Sequence, residues 1–72
     1  MTKLPNTFHE FNVRVHSMVS SLHDEAEGGS PEKAGFIARQ LHAYVTDVAR
    51  EVPKFLNGMN VMEYLRKVTS NV

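Results

Sequence analysis

Apolar residues recur along the first third of the chain at Phe8, Phe11, Val15, Met18 and Leu22, with Val19 and Ala26 beside them. Steps of three and four residues place these side chains on one face of an α-helix. Thr7 precedes the run and Glu10 follows three residues later, the pattern of a capping box that satisfies the first free backbone N–H groups. Gly28-Gly29 interrupts the pattern. A first helix is therefore predicted over about 8–27.

Ser30-Pro31-Glu32 restarts it: serine as a cap, proline at the first helical position, and a carboxylate at the positive end of the helix dipole. Ala34, Ile37, Leu41, Tyr44 and Val48 form the next stripe, flanked by Ala38, Val45 and Val52. This arc is wider than one neighbouring helix covers. Pro53 lacks an N–H and disfavours helical geometry at Val52, so the second helix is expected over about 31–52. Lys54-Phe55-Leu56 can add a single turn before Asn57-Gly58 stops it. Asn60 and Glu63 make a second capping-box pair, and Val61, Leu65 and Val68, with Met62, give a third helix over about 61–69. No segment alternates with period two long enough to make a strand.

The three-residue connection Gly28–Ser30 forces the first two helices to lie antiparallel. The fold class is thus all-α: an antiparallel helical hairpin with a short C-terminal helix, as a three-helix bundle or a dimeric helical bundle. The 72 residues amount to a single small helical domain. There are no cysteines, so neither a disulfide nor a Cys-ligated zinc ion can reinforce it. A chain this short gains only a few kcal/mol from one core, so a second surface, its own or a partner's, is expected to contribute.

The longest purely apolar runs are three residues, against about 20 for a membrane span. Pro5, Asn6, His9 and Glu10 follow Lys3 where a signal peptide would place an apolar stretch. The expectation is a cytoplasmic protein with no membrane partner.

Net charge is zero, which argues against an indiscriminate nucleic-acid binder. The charge is unevenly spread, however. Residues 1–32 carry two cations against five carboxylates, and residues 33–72 carry six against three. The carboxylates gather around the first turn-back, as Asp24, Glu25, Glu27 and Glu32. Arg50, Lys54, Arg66 and Lys67 make the C-terminal half basic. That arrangement suits an oriented contact with an oppositely charged surface.

Candidate chemistry is sparse. His9, His16 and His23 are seven residues apart and share one stripe, but seven residues rise about 10.5 Å, too far for two to bind one metal ion. His23 and Glu27 face each other at i, i+4, and two ligands from one helix make a weak site. A pH-sensitive interface is the other use for such a stripe. Gly28-Gly29-Ser30-Pro31 precedes a helix but lacks the spacing and lysine of a phosphate loop. No nucleophile–base–orienter set is apparent. No cofactor, metal or catalytic residue is assigned, and the protein is expected not to be an enzyme.

Surface apolar residues are more informative. Val13 and Phe36 fall off the helical stripes, and Phe55, Leu56, Met59, Met62 and Tyr64 form an apolar, methionine-bearing cluster around the last turn. With Arg66 and Lys67 these make the candidate partner-binding set: Phe36, Phe55, Leu56, Met59, Met62, Tyr64, Arg66 and Lys67. The expected function is non-catalytic: a regulator, inhibitor or adaptor that binds another protein through an apolar helical surface and self-associates. The alternative is a nucleic-acid-associated transcriptional regulator using the basic C-terminal half. Helix order matches a helix-turn-helix motif, but Met62, Glu63, Tyr64 and Leu65 occupy the start of the third helix. No early Arg, Asn or Gln stands there to read a base edge.

Overall fold

The computed structural model describes residues 4–70. In these residues the chain forms α1 (Phe8–Glu27), α2 (Pro31–Glu51), a 3₁₀ turn (Pro53–Leu56) and α3 (Val61–Ser70). The architecture is all-α, as the periodicity predicts, with each boundary within a residue of its expected place. Lys3, in the segment weighed as a leader, lies outside the described residues.

Local chemistry sets these boundaries. The Thr7 hydroxyl accepts from the Glu10 N–H at 3.1 Å. The Glu10 carboxylate reaches one residue further back than a capping box requires, accepting from the Asn6 N–H at 3.0 Å. At α3 the box is complete: the Glu63 N–H donates to Asn60 Oδ1 at 2.8 Å, and the Asn60 N–H donates to Glu63 Oε1 at 3.2 Å. Ser30 departs from expectation. Its side chain makes no capping bond. Instead its N–H donates to the Glu25 carboxylate at 3.1 Å, tying the turn back to α1. Gly29 leaves room for this: a Cβ there would lie 2.6 Å from Glu25 Oε2.

The connection from α2 to α3 reverses the chain. Pro53 ends α2, and Val52 donates to the Val48 carbonyl at 2.6 Å as the last helical bond. Asn57 (φ 54°) and Gly58 (φ 82°) then adopt consecutive left-handed conformations, which asparagine and glycine tolerate best. This double reversal folds α3 back against both α2 and α1.

The core joins all four elements. Phe11, Val15 and Val19 of α1 meet Leu41, Tyr44, Val45 and Val48 of α2, Phe55 and Leu56 of the turn, and Tyr64 of α3. Phe11 is its hub, with ring centroids 5.4 Å from Tyr64, 5.8 Å from Phe55 and 5.8 Å from Tyr44. These separations fall in the range where aromatic pairs attract beyond simple burial. The buried stripe of α1 is the predicted one shortened at both ends. Val19, expected at its margin, is in the core, whereas Phe8 is 44% exposed and Ala26 is exposed. Phe8 and Ala26 stand in the first and last turns of α1, where fewer neighbours reach them.

Candidate protein-binding surfaces

The fold divides the eight candidate residues. Phe55, Leu56 and Tyr64 are buried core residues, so they do not form the exposed seam that their spacing allowed. The cause is the reversal at Asn57–Gly58, which seats α3 on the hairpin. Met59 is half-buried against the same core. Phe36 and Met62 remain on the surface, 57% and 59% exposed, and Arg66 and Lys67 are exposed with Met62 on α3.

Two separate surfaces result. The first is the outer face of α3. Met62 and Arg66 are one helical turn apart, and Glu63 and Lys67 form the adjacent row, so an apolar side chain sits among two cations and a carboxylate. The second is the seam between α1 and α2, where neither of two open grooves is lined by α3 or the 3₁₀ turn. At the start of α1 a groove of about 600 Å³ runs between the N-terminal lead, Leu4 to Asn6, and the side chains of Val13, Arg14, Met18 and Tyr44. The Arg14 guanidinium stands 5.3 Å above the Tyr44 ring, a cation–π distance that holds the arginine along the groove. Nearer the interhelical turn, a groove of about 470 Å³ lies between Ser21, Asp24 and Glu25 of α1 and Lys33, Phe36 and Ile37 of α2.

Polar atoms inside the protein are few. The Tyr64 hydroxyl is buried with no hydrogen-bond partner, and burial followed by proximity to Tyr44 pushes its pKa above 10.0. Burial also raises Tyr44, against the opposing influence of Arg14. In the histidine stripe, His9 and His16 are exposed and His23 is half-buried, its Nε2 without a hydrogen-bond partner. Among the described residues no group of three His, Asp or Glu side chains converges on a point where a metal ion would sit. No described helix is long and apolar enough to cross a membrane.

Sequence reasoning missed the groove beside the N-terminal lead. Its signal was available in Val13, an apolar residue off the stripe and 53% exposed, but the wall formed by Leu4–Asn6 depends on a path that no periodicity encodes. Comparison with protein-family models, curated proteins and solved structures gave no match.

Proposed function

We propose that this protein is a small non-catalytic binding module that regulates, inhibits or adapts a larger protein through the outer face of α3. One observation carries the reading: Met62, 59% exposed and outside the core, is presented by a helix whose inner face is already committed through Tyr64. Exposed methionine suits an adaptable apolar contact, and Arg66 and Lys67 beside it favour a partner groove with an acidic rim. Self-association and a cytoplasmic setting belong to the same proposal.

The test is capture from the native host with two baits. Wild type should retain a partner that Met62→Asp loses while α-helical content is unchanged. Equal capture by both baits would refute a role for this face. The exposed pair Arg66 and Lys67 also supports the second reading, nucleic-acid contact, and salt separates the two. Phosphate contacts weaken steeply between 50 and 200 mM salt, whereas a contact centred on Met62 should persist.

A further inference from the structure

Asn57 and Gly58, at the reversal before α3, are exposed and both have positive φ. We propose that Asn57 is a site of self-modification: when the reversal opens, the Gly58 nitrogen displaces the side-chain amide of Asn57, and the altered linkage keeps α3 from reseating. The inference concerns what holds α3 in place and does not depend on what the outer face of α3 binds.

Sequence and geometry both single out this asparagine. Asn6, Asn12, Asn60 and Asn71 precede Thr7, Val13, Val61 and Val72, whose branched Cβ crowds the nitrogen that must attack. Asn57 alone precedes glycine, which has no Cβ. That nitrogen is also free. The Asn57 N–H donates to the Lys54 carbonyl at 3.2 Å and the Met59 N–H to the Leu56 carbonyl at 3.0 Å, whereas the Gly58 N–H has no backbone acceptor among the described residues.

The fold holds the reaction off. Ring closure needs the Gly58 nitrogen on the same side of the Asn57 Cα–C bond as Cβ. At the observed ψ of 39° it stands nearly opposite Cβ, so it reaches the side-chain amide carbon only after the reversal opens. Local opening of this kind demands less than global unfolding, because α3 is short and the turn is exposed. Once open, the Gly58 N–H loses its proton to solvent base and the nitrogen bonds to Asn57 Cγ. The Cγ–Nδ2 bond breaks, and Nδ2 takes a proton from water and leaves as ammonia, closing a cyclic imide. Water then adds to one imide carbonyl. Opening at Cγ gives aspartate. Opening at the main-chain carbonyl gives isoaspartate, with the chain running through Cβ and Cγ and one methylene longer. Nothing is oxidised or reduced.

The consequence follows from packing. The two hydrogen bonds on either side of Gly58 fix the path from Leu56 to Asn60, and the left-handed pair sets its direction. An added methylene in that path moves α3 off its seat, and Tyr64 leaves the Phe11 ring on which it stacks at 5.4 Å.

The full-length protein provides the test. Samples aged at mildly alkaline pH are mapped by peptide mass spectrometry, with enzymatic methylation marking isoaspartate. Product should accumulate at Asn57 and not at Asn60. It should form about tenfold or more faster in urea, where the reaction no longer waits for the reversal to open. Asn60→Ala, which loosens α3, should also speed it. The isolated isoaspartyl form should unfold at lower urea and lose near-ultraviolet circular dichroism from Tyr44 and Tyr64. Asn57→Asp, which carries the new charge at the original chain length, should retain that signal. Asn57→Gly, which suits the left-handed turn and has no amide to lose, should not age. Product forming as fast in native buffer as in urea would overturn the proposal. So would equal reaction at Asn57 and Asn60, or an isoaspartyl form with the urea midpoint of fresh protein.

Discussion

The two ends of the hairpin are built differently. At the open end, where α1 begins and α2 finishes, four elements converge. Phe11 touches aromatic rings from α2, the 3₁₀ turn and α3, and Val15, Val45, Val48 and Leu56 are wholly or almost wholly removed from solvent. At the turn end only two helices meet. Leu22 and Ile37 are half-buried and stand outside the core cluster, and Phe36 points outward. Helices of nearly equal length, 20 and 21 residues, thus differ in how much of each is held. A ten-residue α3 is too short to cover both ends, at about 15 Å against a hairpin of about 30 Å. Stability is therefore concentrated where α3 sits, and the turn end is held by the two long helices alone.

Truncating the hub is the severest way to probe that contrast. Phe11→Ala removes a fully buried ring that contacts three elements and should cost about 3–5 kcal/mol. That is comparable with the whole stability expected for a chain of this size, so the variant should be largely unfolded by circular dichroism at 25 °C. Ile37→Ala, at the two-helix end, should cost only about 1–2 kcal/mol and leave a cooperative urea transition. Equal losses would abolish the distinction.

Backbone changes follow. Gly58→Ala forces a Cβ into a left-handed conformation (φ 82°) at the reversal that seats α3, and should destabilise by about 1–2 kcal/mol. Gly35→Ala, in the helical half near the turn, meets no atom within 4 Å and should stabilise by about 0.5–1 kcal/mol. Caps give a matching pair. Asn60→Ala should cost about 1 kcal/mol because Asn60 Oδ1 holds the Glu63 N–H. Ser30→Ala should change the urea midpoint little, since that hydroxyl makes no capping bond.

The smallest effect concerns Tyr64. Its hydroxyl is buried without a partner, so Tyr64→Phe removes an unfavourable group and should leave stability unchanged or raise it by up to about 1 kcal/mol. The pH dependence has a definite sign. The folded-state pKa is raised above the ordinary 10.0, so the folded protein holds this proton more tightly than the unfolded chain. The corresponding stability is present below pH 10 and is lost as pH rises through the folded pKa. Wild type should weaken more steeply than Tyr64→Phe in urea titrations above about pH 10.

Element boundaries were legible because each depends on nearby residues: Thr7 and Asn60 as caps, Pro53 as a stop, and Gly28-Gly29 as an interruption. Phe36 was legible as a surface residue for the same reason, since it falls off the apolar stripe of its own helix. The division of Phe55, Leu56 and Tyr64 from Met62 was not. It depends on the direction in which Asn57 and Gly58 turn the chain, and the same cluster would be surface if α3 projected outward.

Amide hydrogen exchange tests the central contrast most directly. Exchange near the hub, over residues 11–19 and 41–56, should be slow. Residues 21–37 should exchange much faster. Uniform protection along both helices would contradict the account.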